Sequence, residues 1–372
     1  DKELREILDE IYVDDTVDII EEMPANVVSR ILKNTDSETR KQINEILDYP
    51  ADSAGSVMTT EYVYLHKTMT TKEALEWIRK VGVVKETIYT CYVTEARKLI
   101  GFVTILDLVT ADEDATIESI MDTNIIYVYT HEDREDVAKK FSKYDFLAMP
   151  VVDNEKRMVG IITFDDVLDV IAEENEEDFS KMAAMQPIED SYFKTSVFTH
   201  AKKRIGWLLF LMLSATITGA LLTKYEEAFQ AIPILVSFIP MLMSTGGNCG
   251  SQSSTTIIRG LATGEIQFKD VFKAAFKELR ISLIVGLILS ITNGLRIFFV
   301  YKDFRLALVI TLSIIGITII AELIGCLLPL LAKKVRLDPA IMATPLISTI
   351  VDTCSMLIYF QIATRVFSEL HH

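Results

Sequence analysis

The sequence predicts a multidomain membrane protein with an α-helical N-terminal segment, a tandem α/β pair, a connecting helix and an all-α domain of five transmembrane helices. Three observations predict this fold class. Residues 1–200 contain 43 acidic against 21 basic side chains, whereas residues 201–372 contain 10 against 16. An internal repeat occupies the middle of the acidic half, and long apolar runs fill the other half. The chain therefore divides into a soluble acidic part and a membrane part.

Residues 1–50 are predicted to form a helical N-terminal domain of two or three short amphipathic helices. Apolar side chains recur at helical spacing in three runs, namely Leu4, Ile7, Leu8 and Ile11, then Val17, Ile20, Val27, Ile31 and Leu32, then Ile43, Ile46 and Leu47. So short a region gives only a thin core of its own. We therefore expect it to pack on another part of the protein.

An internal repeat fills residues 51–172. The first copy runs from SVMTTEYVYLHKTMTTKEALEWIRK to LIGFVTILDLV, and the second runs from SIMDTNIIYVYTHEDREDVAKKFSK to MVGIITFDDVL. Met58 aligns with Met121, and Gly101 aligns with Gly160. Each copy offers a short strand, a helix, two strands and a final helix. This order predicts a small α/β unit duplicated in tandem.

The repeat resembles a pair of CBS domains. The ending G-h-h-T-x-x-D occurs twice, as Gly101, Thr104 and Asp107 and as Gly160, Thr163 and Asp166. The resemblance implies a cleft between the copies that binds an adenine nucleotide, with the threonine and aspartate near the ribose and phosphates. A hydroxyl, a carboxylate and the N–H groups of a helix start are suited to such a ligand. The alternative is a scaffold without nucleotide, in which these side chains only cap the last helix.

A dense acidic run, VIAEENEEDFSKMAAM, leads into the segment 173–203, which we predict to be an acidic connecting helix. Such runs are often solvated helix faces, and this one lacks the spacing of an EF-hand. Its position between the repeat and the first apolar run favours a second interpretation. Carboxylates at that junction would repel one another when empty and draw together around a divalent cation, as in a switch.

Residues 204–372 are predicted to form the transmembrane domain, with spans near 205–223, 231–258, 281–300, 306–331 and 340–364. The basic residues of the connecting loops are unequally divided, eleven on one side and five on the other. The positive-inside rule assigns the richer side and the soluble region to the cytoplasm, and five spans then put the C-terminus outside. A bundle of five helices is small for a pore. We therefore expect a homodimer with the conduit near its two-fold axis.

Polar residues inside two spans mark the predicted pathway. Asp352 lies in the middle of the last span, where an aspartate costs about 2.5–3.5 kcal/mol on insertion scales and should face protein, water or an ion. The second span contains STGGNCGSQSSTT, whose small residues allow close packing and whose oxygens can hold a hydrated ion. A tight helix interface without ion contact is the alternative for most of these residues. Asn248 and Gln252 lie one turn apart on one face and are the better candidates for the conduit.

Four motifs, in order along the chain, resemble the MgtE family of magnesium channels: PADSAGSVMT, SVFTHAKKRIGWLL, PMLMSTGGNCGSQSSTTIIRGLATGEI and DPAIMATPLISTIVDTCSMLIYF. The resemblance covers nearly the whole chain. It implies a homodimer in the bacterial plasma membrane, with cytoplasmic N and CBS domains, a connecting "plug" helix and five transmembrane helices. The pore aspartate of the family corresponds to Asp352, and the aspartate at the cytoplasmic mouth corresponds to Asp338. Because Mg²⁺ keeps its water shell, Asn248 and Thr349 are expected as outer-shell partners of the hydrated ion.

The resemblance also implies regulation by ligands in the cytoplasm. Intracellular Mg²⁺ would bind acidic residues of the N domain, the CBS pair and the plug helix and close the pore; the matching residues are Asp15, Asp166, Glu174, Glu177 and Asp178. ATP would bind in the CBS cleft through Thr163, Asp166 and Asp169. The N domain of the family is normally longer than residues 1–50, as if it were truncated here, and this difference affects the assignment of Asp15.

The expected function is a Mg²⁺-selective channel for magnesium uptake, closed by intracellular Mg²⁺ and modulated by ATP. The alternative is an alternating-access carrier for Mg²⁺, Co²⁺ or Mn²⁺, with Glu322 in the fourth span as a coupling carboxylate. An enzyme is not expected, because the hydrolase motifs H-E-x-x-H and G-x-S-x-G do not occur. A nucleotide sensor alone would not need Asp352. The partners expected are the lipid bilayer and a second copy. The acidic surface argues against nucleic acid, and no protein substrate is expected.

Overall fold

The computed structural model describes residues 11–188, 192–225, 230, 232–342 and 344–367. The chain forms two compact units, Asp1–Glu174 and Asn175–His372. The first contains the N-terminal helices and the repeat, and the second contains the membrane helices. The fold class predicted from the sequence, a multidomain protein with a soluble α/β pair and a helical membrane domain, is confirmed.

Within the described residues, the N-terminal domain contains three short helices: α1 (Val13–Glu22), α2 (Ala25–Asn34) and α3 (Ser37–Leu47). Their buried core consists of Val13, Val17, Ile20, Ile31, Ile43 and Ile46. Asp36 begins α3 as an N-cap, because its carboxylate accepts hydrogen bonds from the N–H groups of Glu38 and Thr39. The first predicted run, with Leu4, Ile7 and Leu8, lies outside the described residues.

Each copy of the repeat contains the predicted elements in the predicted order. The first copy contains β1 (Tyr64–Leu65), α4 (Thr71–Val81), β2 (Thr90–Glu95), β3 (Lys98–Thr104) and α5 (Ile105–Thr110). After the short helix α6 (Ile117–Ile120), the second contains β4 (Val128–Tyr129), α7 (Arg134–Tyr144), β5 (Ala148–Val152), β6 (Met158–Thr163) and α8 (Phe164–Met182). In both sheets the first strand pairs in parallel with the second, which pairs antiparallel with the third.

The aligned glycines and methionines of the repeat pack reciprocally. A Cβ atom at Gly101 would lie 2.8 Å from the sulfur of Met121, and one at Gly160 would lie 2.8 Å from the sulfur of Met58. The segment that begins each copy therefore passes against the last strand of the other copy, where only glycine leaves room. Backbone hydrogen bonds of Thr59 with Ile161 and of Phe102 with Asp122 hold these crossings.

The last helix of the repeat continues without a break into the acidic segment. Helix α8 extends from Phe164 to Met182, so the predicted boundary at 172/173 falls inside it, as does the division between the two compact units. The acidic side chains do not interrupt the helix, because Glu is a good helix former. The chain then turns through Ala184, whose φ is +53°, and α9 begins after the N-cap Ser196.

The described part of the membrane unit contains five long α-helices: α9 (Val197–Lys224), α10 (Ile239–Ala262), α11 (Val271–Tyr301), α12 (Phe304–Lys334) and α13 (Thr344–Val366). Among the residues that the structure describes, four stretches are long and apolar enough to cross a membrane: Val197–Lys224, Phe268–Tyr301, Phe304–Lys334 and Pro339–Val366. Helix α10 is not among them, because amides, hydroxyls and glycines lower its apolarity. It is nevertheless about 36 Å long at 1.5 Å per residue, long enough to span a bilayer core.

Helix α10 begins later than the sequence predicted. The expected span starts at residue 231, but Pro233–Phe238 is a 3₁₀ turn and the α-helix starts at Ile239. Pro240 then lies in the first turn, the one part of a helix where a missing N–H costs little. Helix α12 is central in this unit, since it packs against α10, α11 and α13, whereas α9 packs chiefly against α13.

Candidate ion pathway and regulatory acids

Helix α10 has a buried face made of small residues. A Cβ at Gly246 would lie 2.7 Å from Ser355 Oγ on α13 and 2.7 Å from Ile317 Cγ2 on α12. A Cβ at Gly250 would lie 2.9 Å from Ile347 Cγ2 and 3.1 Å from the carbonyl oxygen of Ala321. The glycines of this span therefore serve helix packing, the alternative that the sequence left open for them.

The opposite side of α10 is polar and uncovered. Asn248 and Gln252 are exposed within the chain, and they align at helical spacing with other exposed polar side chains. We call this set the polar face; it consists of Ser244, Asn248, Gln252, Thr255 and Arg259. In a bilayer such a face is costly against lipid, so it requires water, an ion or another polypeptide beside it.

Asp352 of α13 lies at the same level as the polar face. Helices α10 and α13 run antiparallel, with Gly247 against Ser348 and Gly246 against Ser355. Asn248 is thus level with the stretch 348–355, which contains Asp352. The Asp352 side chain is half-buried, and the part of the chain that the structure describes gives its carboxylate no hydrogen bond or ion pair.

The other residues predicted for the pathway have partners of their own. Thr349 Oγ1 donates a hydrogen bond of 3.0 Å to the carbonyl oxygen of Pro345 in its own helix. Asp338 lies before the 3₁₀ turn Pro339–Met342, and its Oδ2 accepts a hydrogen bond of 2.7 Å from Lys181 Nζ. The structure therefore brings Asn248 and Asp352 to one level and leaves Asp338 at the beginning of the last membrane segment.

Two of the regulatory acids predicted on α8, Glu174 and Glu177, pair with basic side chains. Arg134 Nε donates to Glu174 Oε1 at 3.0 Å, and Arg134 Nη1 donates to Glu173 Oε2 at 2.8 Å. Glu177 pairs with Lys181 one turn later on the same helix. Asp178 is half-buried. The sequence did not reveal the pair of Arg134 and Glu174, because these two residues lie 40 positions apart along the chain.

Helix α1 contains two aspartates besides the predicted Asp15, namely Asp14 and Asp18. Burial raises the pKa of Asp14 to about 6. Burial and the charge of Asp166 raise the pKa of Asp18 to about 6. Asp14 is half-buried, whereas Asp15 and Asp18 are both exposed on this helix. Asp14 and Asp18 were missed, although their spacing of four residues beside the apolar series Val13, Val17 and Ile20 could have indicated a shared acidic face.

These aspartates face further carboxylates within the soluble unit. Burial raises the pKa of Asp166 to about 7, with the charge of Asp14 adding to the effect. Burial, followed by the charge of Asp14, raises the pKa of Glu86 to about 8. One buried oxygen of Glu86 has no hydrogen-bond partner among the residues that the structure describes. Crowded carboxylates of this kind favour binding of protons or cations.

The predicted nucleotide contacts form a helix cap. Thr163 donates its backbone N–H and its hydroxyl to Asp166 Oδ2, and Thr104 and Asp107 repeat the arrangement in the first copy. Asp169 is exposed on α8. The capping alternative is thus realised in both copies, and nucleotide binding by Thr163, Asp166 and Asp169 stays a prediction.

Two buried glutamates lie inside the membrane unit. Glu322 on α12 is 5% exposed, and Glu278 on α11 is 6% exposed. Oε2 of Glu322 has no hydrogen-bond partner in the described part of the chain. The sequence singled out Glu322 but not Glu278, which stands between basic residues near the beginning of its helix. Among the described residues, no three His, Cys, Asp or Glu side chains form a group that could hold a metal ion.

Comparison with family models covers most of the chain. Residues 239–362 match a model described as divalent cation transporter (MgtE), and residues 1–52 match the MgtE intracellular N domain. Residues 54–114 and 117–173 each match the CBS domain model. The predicted tandem CBS pair is therefore confirmed.

Curated relatives match over most of their length. The magnesium transporter MgtE of Thermus thermophilus is 37% identical over 331 residues, which are 88% of this chain and 73% of that protein. The protein of the same name from Bacillus subtilis is 33% identical over 358 residues, which are 96% of this chain and 79% of that protein.

Two solved structures resemble the soluble part. A structure of the cytosolic domain of the Mg²⁺ channel MgtE in complex with ATP is 41% identical and covers 45% of this chain and 69% of its own, with a TM-score of 0.43. A structure of the soluble part of a magnesium transporter is 35% identical and covers 46% of this chain and 67% of its own, with a TM-score of 0.45.

Proposed function

The chain belongs to the MgtE family, and on this premise we propose that it moves Mg²⁺ across a membrane along the polar face of α10 and past Asp352. One observation carries the proposal. The polar face is exposed within an otherwise apolar bundle. It lies at the level of Asp352, whose carboxylate has no hydrogen bond or ion pair among the described residues. An ion pathway accounts for both features, because it supplies water to the amides and a cation to the carboxylate.

The chemistry of these groups fits a hydrated divalent ion. Mg²⁺ gives up its water reluctantly and is commonly held by one or two carboxylates through its water shell. Asp352 would attract the ion, and the amides of Asn248 and Gln252 would accept or donate hydrogen bonds to its waters. Thr349 is the weaker candidate, because its hydroxyl already bonds to its own helix.

We propose that the pathway is completed by a second copy of the chain. Five helices leave the polar face open on one side, and a two-fold arrangement would close it and bring a second Asp352 to the same ion. Uptake would be driven by the membrane potential, worth about 2.3 kcal/mol per elementary charge at 100 mV and twice that for a divalent ion. The soluble unit would lie in the cytoplasm and the C-terminus outside, in the plasma membrane of a bacterium.

We propose that cytoplasmic Mg²⁺ regulates this pathway through the soluble unit. Asp14, Asp18, Asp166 and Glu86 repel one another when no cation is bound, and Mg²⁺ would relieve this repulsion. Asp14 and Asp18 replace Asp15 as the N-terminal contribution that we favour. Glu174, Glu177 and Asp178 would act on α8. Binding of ATP in the CBS cleft would require Asp166 to break its hydrogen bond with Thr163. We therefore propose ATP only as a modulator.

A flux assay tests the transport proposal. In proteoliposomes with a Mg²⁺-sensitive dye inside and a negative-inside potential, we expect Asp352→Asn to lower uptake about tenfold or more, the loss that matches about 1.4 kcal/mol of ion stabilisation. Asp303→Asn is the matched control, because Asp303 caps α12 through the N–H groups of Arg305 and Leu306 and asparagine caps equally well. Undiminished uptake by a folded Asp352→Asn protein would contradict the assignment.

A carrier is the second candidate, favoured by the buried glutamates. Among the described residues, one oxygen of Glu322 has no hydrogen-bond partner, and the charge of Glu278 acts on the same carboxylate. The two glutamates could therefore bind a coupling cation within the bundle. Single-channel currents in a planar bilayer separate the two candidates, since a channel gives unitary currents and a carrier does not. Loss of transport in Glu322→Gln without such currents would support the carrier.

A further inference from the structure

Lys181 joins two carboxylates that are distant in sequence. Its Nζ lies 2.7 Å from Asp338 Oδ2, and it also pairs with Glu177, four residues earlier on α8. The side chains of Lys181, Glu177 and Asp338 are 25%, 33% and 29% exposed, so the three groups are mostly shielded from water. A single ammonium group therefore neutralises two acids from different elements of the membrane unit.

The ammonium group is strongly held in its charged form. Burial lowers the pKa of Lys181, but the hydrogen bonds with Asp338 and Glu177 outweigh burial and leave the pKa above its ordinary value. Lys181 is accordingly a permanent cation at neutral pH. Without it, Glu177 and Asp338 would repel each other across this contact, and only an added cation could hold them together.

The Asp338 end of this bridge is connected to both helices of the proposed pathway. Asp338 Oδ1 accepts the N–H of Ala340 at 2.8 Å and so begins the 3₁₀ turn Pro339–Met342. Ser254 Oγ of α10 donates to the carbonyl oxygen of Met342 at 3.0 Å. Helix α13, which contains Asp352, starts two residues later. A displacement of Asp338 would therefore be transmitted through these hydrogen bonds to the start of α13 and to α10.

We propose that Lys181 is a gating residue, a tethered cation that holds the end of α8 against the start of the last membrane segment in the closed state. This inference rests on the proposed function, in which cytoplasmic Mg²⁺ closes the pathway. It adds that the contact between Glu177 and Asp338 closes without a metal ion, because the protein supplies the positive charge. Mg²⁺ is then needed only at the other acids of the regulatory system.

Removing the charge tests the proposal. With full-length protein in proteoliposomes, we expect Lys181→Gln to raise uptake at low Mg²⁺ on the cytoplasmic side. We also expect the Mg²⁺ concentration for half-closure to rise about two- to fivefold, as loss of a partly exposed ion pair would cause. Lys181→Arg should behave like the wild type. Lys333→Gln is the matched control, because Lys333 is an exposed lysine five residues before Asp338.

A double-mutant cycle separates the bridge from a general charge effect. Asp338→Asn keeps the acceptor for Ala340 and loses the charge, so it should shift half-closure in the same direction. The double variant should add nothing to the larger single effect. Additive shifts, or a Lys181→Gln protein that closes like the wild type, would overturn the role of Lys181 while leaving Mg²⁺ closure intact. A wild type that does not close with Mg²⁺ would overturn the regulation proposed above together with this inference.

If Lys181→Gln does not fold, Asp338→Asn tests the same bridge from its other end. The folded state of each variant is checked by size-exclusion chromatography and thermal unfolding in detergent. A folded Asp338→Asn protein with unchanged half-closure would equally overturn the proposal.

Discussion

Helices α1 and α10 each have one buried face and one polar face, but the types of residue that form these faces differ between the two helices. In α1 the buried face consists of Val13, Val17 and Ile20, and the acidic face beside it contains Asp14 and Asp18. In α10 the buried face contains Gly246 and Gly250, whereas the polar face consists mostly of neutral amides and hydroxyls.

The solvent explains the contrast. In water, removing aliphatic surface drives packing, and charged side chains beside the buried face are tolerated because they remain partly hydrated. In a bilayer the lipid is as apolar as the protein, so close contact between small residues replaces the hydrophobic effect. A charge there is costly, and neutral polar groups are the cheaper lining for an aqueous path. The two faces of α10 are therefore distinct: one packs against other helices, and the other lines the pathway that we propose.

The largest effect should follow a change on the packing face of α10. Gly250→Leu would place side-chain atoms against Ile347 and the carbonyl of Ala321, so we expect a loss of at least about 1–3 kcal/mol of stability and little folded protein. Asn248→Leu, two residues away on the polar face, should retain the fold. Thermal unfolding and size-exclusion profiles of both variants in detergent measure the difference. Equal destabilisation would mean that the two faces are not distinct.

A smaller effect should follow titration of the acidic face beside the core of α1. The folded pKa values of Asp14, Asp18, Asp166 and Glu86 lie at about 6, 6, 7 and 8, above their unfolded values. The folded state therefore binds protons more tightly than the unfolded chain. Stability should fall by about 1–3 kcal/mol as pH rises from about 4 through 8 without divalent cations, and Mg²⁺ at pH 8 should restore it.

Urea unfolding of the soluble unit measures this dependence. The fluorescence of Trp77, one of two tryptophans, reports on the unit when Trp207 is replaced by phenylalanine. Asp18→Asn should weaken the pH dependence, and Asp15→Asn on the same helix is the matched comparison. A larger change with Asp15→Asn would restore Asp15 as the regulatory residue.

The smallest effect should come from Thr349→Val. The Thr349 hydroxyl is bound to Pro345 in its own helix, and valine has a similar shape, so stability should change by less than about 0.5 kcal/mol. We expect Mg²⁺ uptake within about twofold of the wild type in the flux assay, because the hydroxyl is not needed for the fold. A tenfold loss of uptake in a stable protein would instead assign the hydroxyl to the hydration shell of the ion.

Periodicity and repetition predicted the elements well. The duplicated motif predicted both copies of the α/β unit. The aligned glycines and methionines are in contact, Gly101 with Met121 and Gly160 with Met58. These features are local or repeated, so the chain displays them directly. The start of α10 was less well predicted, because the apolar run before it continues through Pro233 into a 3₁₀ turn.

Partners distant along the chain were not predicted. Lys181 and Asp338 are separated by 157 residues, and Arg134 and Glu174 by 40. No periodicity connects such pairs, and Glu174 looked like one more member of an acidic run. The choice between Asp15 and its neighbours cannot be made from the sequence for a related reason, since only tertiary packing decides which side of a helix faces other carboxylates. A regulatory role of Asp15 stays a prediction.

The sequence by itself determined the division into soluble and membrane parts, the duplicated unit and the candidacy of Asp352 and Asn248, because each depends on composition or spacing within one segment. Tertiary structure decided which face of α10 packs and which stays open, that Thr163 and Asp166 cap a helix, and that Lys181 bridges Glu177 and Asp338. Those outcomes depend on which surfaces meet when the chain folds. A side chain acquires a buried neighbour or an uncovered face only through contacts between segments.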